Sequence, residues 1–135
     1  MSRQITYRSD RDIPVESWIA LFEAVGYNRR WGERNARASL DHCYLTATAW
    51  DGERAVGTLS VRSDKVNFAI IDDLVVHPDY RGRGIGTALM RSALDGIAAL
   101  KVEHVQLYPI PGRESFFARF GFRVQPDATV MDWFA

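Results

Sequence analysis

The stretch of sequence that decides the fold is residues 72–87, DDLVVHPDYRGRGIGT. It closes a long apolar run, residues 68–76, whose length and β-branched content predict a buried central strand interrupted only by two aspartates. Three glycines follow at alternate positions: Gly82, Gly84 and Gly86. Beyond them, apolar residues recur at helical spacing as far as residue 100. The segment therefore predicts a strand, a glycine-rich turn and an amphipathic helix, in that order.

The turn between this strand and this helix favours binding of a phosphate group. The first backbone N–H groups of a helix lack partners within the helix and lie at the positive end of its dipole. Glycine lets the backbone approach an anion without interference from a Cβ atom, and two arginines add positive charge. We therefore predict a phosphate or pyrophosphate site at Arg81, Gly82, Arg83, Gly84, Ile85, Gly86 and Thr87.

Two common phosphate-binding patterns do not fit this turn. A G-x-G-x-x-G pattern that starts at Gly82 requires glycine where Thr87 stands, and the Gly-Lys-Ser/Thr ending of a P-loop is absent. The pattern that fits is Arg-x-x-Gly-x-Gly, at Arg81, Gly84 and Gly86. It resembles the acyl-CoA signature of the GNAT superfamily of N-acetyltransferases, and the preceding residues 76–80 look like that family's usual lead-in.

A second resemblance to the same family lies further along the chain. Residues 107–108, 111–112 and 116–122 look like its later strand, its last helix and its Gly-Phe ending. The resemblance implies an α/β fold, a GNAT-like single mixed sheet flanked by helices. In it, two central parallel strands, residues 68–76 and 102–108, splay apart.

The remaining helices and strands are predicted from the spacing of apolar residues and from turn residues. A helix over 15–25 and a weaker one over 33–42 precede a hairpin around Asp51-Gly52. Two last strands are predicted at 122–124 and 129–134. The predicted order is β-α-α-β-β-β-α-β-α-β-β, in a single domain over residues 1–135.

The resemblance also implies where a co-substrate binds. Acetyl-CoA would lie between the two splayed strands, its pantetheine arm hydrogen-bonded by backbone groups of Leu74 and Val76. Val75, between them, belongs to the same cofactor-binding segment. Backbone N–H groups from Gly82 to Thr87 would hold the pyrophosphate.

Acetyl transfer to an amine needs a neutral amine, a polarised thioester carbonyl and a proton for the leaving thiolate. Asp72 and Asp73 are the acidic residues beside the expected thioester, although in a regular strand they face opposite ways. By resemblance to polyamine acetyltransferases, Asp72 is the candidate base, through a water, and Asp73 attracts or orients a cationic amine. The alternative for either residue is a structural carboxylate.

One position departs from the family. Phe117 stands where the family commonly has a tyrosine that protonates the CoA thiolate, and a phenyl ring donates no proton. Tyr108 is the candidate substitute; water, or unassisted departure of the thiolate, are the alternatives. A protein that binds or senses acyl-CoA with little turnover is the second functional hypothesis.

The loop after the first helix borders the acceptor pocket in the resembled fold. Tyr27 and Trp31 in that loop are candidates to hold an apolar or cationic acceptor, against the simpler interpretation of a packing loop. The acceptor itself, a small-molecule or peptide amine, is left open by the sequence.

The amino-acid composition indicates which kinds of binding partner and cellular compartment to expect. Seventeen basic residues balance seventeen acidic ones, which argues against a nucleic-acid-binding protein. The single cysteine, Cys43, favours a reducing compartment, and we expect a cytoplasmic protein without a membrane segment or a metal site. The apolar segment 129–134 predicts a homodimer that involves Trp133 and Phe134.

Overall fold

A computed structural model describes residues 4–27 and 32–134 of the chain. Its strands and helices, in chain order, are β1 (Thr6–Arg8), α1 (Val15–Ala24), α2 (Glu33–His42), β2 (Leu45–Asp51), β3 (Arg54–Ser63), β4 (Phe68–Val76), α3 (Ile85–Ala98), β5 (His104–Leu107) and α4 (Glu114–Ala118). A single 3-10 turn, Pro78–Tyr80, lies between β4 and α3.

The strands form one mixed sheet in the order β1-β2-β3-β4-β5. The first four are antiparallel neighbours, and β5 pairs with β4 in parallel. Gly52 turns the β2–β3 hairpin with a φ of 60°, a conformation that glycine adopts readily. In the turn from β3 to β4, the N–H groups of Val66 and Asn67 bond to Asp64 and hold the pKa of its carboxyl below the ordinary value.

Apolar side chains alternate along the strands and so build a core on each face of the sheet. Residues such as Ala47, Leu59 and Ile71 pack against Leu89 and other residues of α3. On the opposite face, Trp18 and Phe22 of α1 and Leu40 of α2 pack against Trp50 and Val75. Because helices cover both faces, the open parts of the sheet are its edges and the place where neighbouring strands separate.

That separation occurs between β4 and β5. Their parallel pairing runs from Phe68↔His104 to Ile71↔Leu107 and then stops, whereas β4 continues to Val76. The last five residues of β4 thus have β3 on one side and a gap on the other. The predicted splay of the two central parallel strands is confirmed.

The prediction of two further strands at the end of the sequence was wrong. Residues 122–134 form no strand in the described structure, and Met131, Trp133 and Phe134 are almost fully exposed. Alternating apolar residues form a strand only where a neighbour supplies hydrogen-bonding groups, and no strand of this sheet accepts the segment.

Two searches of the described residues bear on membranes and metals. None of the helices there combines the length and the apolar character required to traverse a lipid bilayer. Nor do three or more His, Cys, Asp or Glu side chains cluster there in a way that suits a metal ion.

Candidate active site

The gap between β4 and β5 opens into a cavity of about 810 Å³. The end of α1, the start of α3, the residues after β5 and helix α4 complete its walls. Most of the residues predicted to bind or react line it: Tyr27, Asp72, Asp73, Leu74, Val75, Val76, Arg81, Gly82, Gly84, Ile85, Gly86, Thr87 and Tyr108. The structure therefore places the candidate co-substrate, acceptor and catalytic residues around one space.

The glycine turn has the backbone geometry of an anion site. Gly82 and Gly84 both have a φ of +77°, which side-chain-bearing residues rarely adopt, and open space surrounds both α-carbons. The first i→i−4 bond of α3 runs from the Ala88 N–H to the Gly84 carbonyl at 3.0 Å. The N–H groups of residues 85–87 precede it at the positive end of the helix dipole. The turn thus presents backbone N–H groups in a geometry suited to an anion such as a phosphate group.

Gly86 lies where helix α4 packs over the start of α3. A Cβ atom there would lie 3.4 Å from Cζ of Phe116 on α4, at ordinary van der Waals distance. Gly86 and Phe116 both line the cavity.

The two arginines of the turn differ in position. Arg81 lines the cavity. Arg83 is not among the lining residues; its guanidinium carbon lies 4.9 Å from the centroid of the Tyr80 ring, and its Nη2 donates to the Asp79 carbonyl at 3.4 Å. The role of Arg83 in binding the co-substrate stays a prediction.

Tyr80 anchors this turn to the sheet. Its ring is buried, and its hydroxyl donates a hydrogen bond to the Asp51 carboxylate at the end of β2. This bond raises the pKa of Tyr80, because the bond requires the protonated phenol. Sequence analysis did not identify this anchor, which joins residues far apart in the chain.

A β-bulge places the two adjacent aspartates on the same side of β4. Ser60 faces Asp72 and Thr58 faces Val75, so Leu59 alone opposes two residues of β4. Asp73 takes up the extra residue with a φ of 57°. In a regular strand these carboxylates point to opposite faces, and the bulge removes that alternation.

One guanidinium contacts both carboxylates. Nη1 of Arg62 on β3 lies 2.6 Å from Oδ2 of Asp72 and 4.0 Å from Oδ2 of Asp73. Its Nη2 donates to Oγ of Ser39 on α2 at 3.0 Å. Arg62 is a site residue that sequence analysis missed, because its contact with the aspartates depends on how β3 pairs with β4.

The two aspartates differ in exposure. The side chain of Asp72 is 44% exposed, and its Oδ1 also accepts a hydrogen bond from the N–H of Asp73 at 2.9 Å. The side chain of Asp73 is only 4% exposed. Both oxygens of Asp72 therefore already accept protein hydrogen bonds, while Asp73 forms part of the buried cavity wall.

Aromatic residues complete the cavity. Tyr108 follows β5, is 60% exposed and lines the cavity together with Phe117 of α4. On the opposite side, Tyr27 lies 6.2 Å, between ring centroids, from Phe22 of α1. Trp31, the other predicted acceptor residue, lies outside the described residues.

Comparisons with known proteins place the chain in a family. The family model described as the acetyltransferase (GNAT) family matches residues 6–122. The chain is 30% identical to serotonin N-acetyltransferase 2 of Oryza sativa subsp. japonica, over 90% of this chain and 62% of the relative. It is 32% identical to a ycf52-like N-acetyltransferase of Prochlorococcus marinus, described as uncharacterised, over 78% of this chain and 61% of the relative. The chain thus spans about three fifths of the length of these curated relatives.

Solved structures agree with the sequence comparison. A GNAT-family acetyltransferase from Streptococcus pneumoniae TIGR4 superposes with a TM-score of 0.83 and 28% identity, over 98% of each chain. A probable acetyltransferase from Staphylococcus aureus has the same fold, with a TM-score of 0.86 at 22% identity, over 98% of this chain and all of that chain. This chain belongs to the acetyltransferase (GNAT) family, and the family and fold class predicted from its sequence are confirmed.

Proposed function

We propose that this chain transfers the acetyl group of acetyl-CoA directly to a primary amine of a small molecule or peptide. The observation that carries the proposal is the cavity at the split between β4 and β5. A glycine turn suited to pyrophosphate lies in its wall, together with two carboxylates from the bulge. Membership of the acetyltransferase family supports the same reaction.

The proposed reaction assigns tasks to the residues of the cavity. A bond forms between the amine nitrogen and the acetyl carbon, and the carbon–sulfur bond of the thioester breaks. The amine loses a proton and the leaving thiolate gains one. Asp72 and Asp73 supply the acceptor for the first proton and the attraction for the cationic amine. Tyr108 is the donor of the second proton, because Phe117 has no proton to give.

For the acceptor, we propose a cationic amine that carries an aromatic or other flat apolar group. The aspartates attract the ammonium group, and Phe22, Tyr27, Tyr108 and Ile110 supply aromatic and aliphatic groups to the cavity wall. The similarity to a relative named serotonin N-acetyltransferase supports this class. Polyamines, aminoglycosides, amino acids and peptide amines are the classes to compare with it.

A screen of amines with acetyl-CoA tests the proposal. The panel pairs each arylalkylamine with an alkylamine of equal length, and includes a polyamine, an aminoglycoside and a lysine peptide. Release of free thiol gives the rate, and mass spectrometry identifies the acetylated product. We expect the arylalkylamines to have the highest kcat/KM. A wild-type protein that binds CoA but acetylates none of these amines would contradict the proposal.

The second candidate function is a module that binds or senses acyl-CoA with little turnover. The observation that favours it is Phe117 in the cavity wall, at the position of the missing acid. Two variants distinguish the acetyltransferase from the binding module. If the absent acid limits turnover, Phe117→Tyr raises kcat. If the chain is an active enzyme that uses Tyr108 as the acid, Tyr108→Phe lowers kcat and leaves the Kd of CoA unchanged.

A further inference from the structure

Charged side chains of both signs line the cavity. Among the described lining residues, those that carry charge are Asp72, Asp73, Arg81, Arg113 and Arg119. The aspartates belong to the bulge of β4, and Arg81 belongs to the glycine turn. The other two arginines flank α4, one directly before its first residue and one directly after its last. Basic residues of the cavity wall thus extend from the glycine turn to helix α4.

Phe116 connects α4 with the glycine turn. Its ring packs against Gly86 at the start of α3, and the guanidinium carbon of Arg119 lies 5.7 Å from the centroid of the same ring. One aromatic ring therefore separates the Arg119 guanidinium from the turn that is suited to an anion.

The two arginines of α4 are available to a ligand. Both are exposed, and neither forms an ion pair with a carboxylate in the part of the chain that the structure describes. The acidic residue of α4 itself, Glu114, instead accepts a hydrogen bond from the N–H of Gly112 at 3.0 Å. An anion that lies against the turn and α4 thus meets two guanidinium groups.

Coenzyme A carries a second phosphate group that the turn alone does not bind. The N–H groups of residues 85–87 and Arg81 suit its 5′-pyrophosphate. The same ribose also carries a 3′-phosphomonoester, a group with a charge of about −1.5 to −2 at pH 7 and three strong acceptor oxygens. Arginine matches phosphate through two parallel N–H donors, so cations beside the pyrophosphate site fit this group.

We propose that Arg113 and Arg119 bind the 3′-phosphate of coenzyme A, so that the protein distinguishes CoA from 3′-dephospho-CoA. This inference rests on the proposed acetyl transfer and deepens it, because it adds a second phosphate site to the site of the co-substrate. It assigns the arginines of α4 to the phosphate on the ribose and Arg81 to the pyrophosphate.

Calorimetric titration of the protein with CoA and with 3′-dephospho-CoA tests the assignment. For the wild type, we expect dephospho-CoA to bind at least about tenfold more weakly than CoA, since hydrogen bonds between two ionised groups are lost. Added salt should reduce this preference, because the arginines are exposed and their charge is screened. The double variant, Arg113→Met with Arg119→Met, should lose most of the preference, while its Kd for dephospho-CoA stays that of the wild type.

Two further variants separate this site from the rest of the cavity wall. Arg81→Met should weaken both ligands by the same factor and so keep the preference, because both ligands carry the pyrophosphate. Arg123→Met is the matched control. Arg123 is also exposed and lies shortly after α4, but it is not among the residues that line the cavity. Its substitution should leave both Kd values unchanged.

Three results would overturn the proposal. A wild type that binds the two ligands equally has no site for the 3′-phosphate. A double variant that keeps the full preference binds this phosphate elsewhere, and one that weakens both ligands equally has lost contacts with the pyrophosphate instead. If the double variant does not fold, Arg119→Gln alone decides the matter, because the proposal requires it to lower the preference for CoA.

Failure of the proposed function is distinguishable from failure of this inference, because the titrations need no turnover. A wild type that prefers CoA as expected but acetylates no amine refutes acetyl transfer and supports the phosphate site. A wild type that acetylates amines but binds dephospho-CoA as tightly as CoA supports acetyl transfer and refutes the phosphate site. A wild type that binds neither ligand refutes both.

Discussion

At the scale of single residues, the feature that shapes the cavity is the left-handed backbone of Asp73. Its φ of 57° lies in a region that costs most residues free energy, but which aspartate and asparagine tolerate better than other side chains. Strain of this kind persists where the surrounding structure enforces it, and it concentrates at functional sites. Here it is the reason that two consecutive carboxylates face the same guanidinium.

Substitution of Asp73 separates the backbone requirement from the chemistry. Asp73→Gly and Asp73→Ala both delete the carboxylate, yet glycine accepts a positive φ without a penalty. We therefore expect the glycine variant to be more stable than the alanine variant by about 1–2 kcal/mol, the reverse of the usual order within a strand. Chemical denaturation measures the difference.

Both variants, and Asp73→Asn, should lose about 10²-fold or more in kcat while binding CoA normally. An alanine variant as stable as the glycine variant would refute the strained backbone. Full activity in Asp73→Asn would remove this carboxylate from the reaction.

Sequence reasoning identified both aspartates but not their relation. Their position in a buried strand beside the glycine turn marked them as candidates, and both line the cavity. That they share a side depends on the register between β3 and β4, which shifts between Thr58 and Ser60. A register shift is a property of the paired strands and cannot be obtained from either strand's sequence alone. Arg62 was missed for the same reason.

At the scale of elements, the turn from β4 into α3 is the proposed binding site of the co-substrate. The bounds of β4 and α2 agree with prediction, because a long apolar run and a helical repeat are local signals. The prediction of two last strands was wrong, because a strand depends on a partner strand that the local sequence does not reveal. The glycine turn was predictable for the same reason as β4 and α2, because its glycines are visible in the local sequence; the positive φ of Gly82 and Gly84 is known only from the structure.

Gly84 offers a direct test of this turn. Gly84→Ala introduces a Cβ atom at a φ of +77°, and we expect a loss of stability of about 1–2 kcal/mol because the N-terminus of α3 must distort. Saturation with CoA at 100 times its Kd should raise wild-type stability by about 2.7 kcal/mol, and the variant should show a smaller shift at the same ligand concentration. Thermal melts with and without CoA give both values.

Gly32→Ala is the matched control for Gly84→Ala. Gly32, just before α2, has an ordinary φ of −72° and open space around it. Its substitution should leave the CoA-dependent shift intact. An equal loss of the shift in both variants would mean that the turn at Gly84 does not bind the co-substrate.

At the scale of the whole molecule, the sheet is covered on its faces and open at its edge. Helices pack on both faces, whereas β5 pairs only with β4 among the described residues. Beyond α4, the chain presents Val130, Met131, Trp133 and Phe134 to solvent. Exposed apolar segments are typical of surfaces that pair with another chain. The same apolar residues that predicted a strand are thus exposed in the described structure.

We propose that the partner is a second copy of this chain, bound through residues 129–134. Trp133 and Phe134 are both 86% exposed, and a homodimer that buries them removes two large aromatic side chains from water in each copy.

Sedimentation velocity across a range of concentrations should give a dimer for the wild type, and a dimer weakened by at least about tenfold when both aromatics are replaced by alanine. Tyr7→Ala, at an exposed aromatic on the far edge strand β1, is the control and should leave the dimer unchanged. A wild type that stays monomeric at high micromolar concentration would contradict the homodimer. A dimer unaffected by the double substitution would place its interface elsewhere, because aromatic side chains buried at an interface carry a large share of its binding free energy.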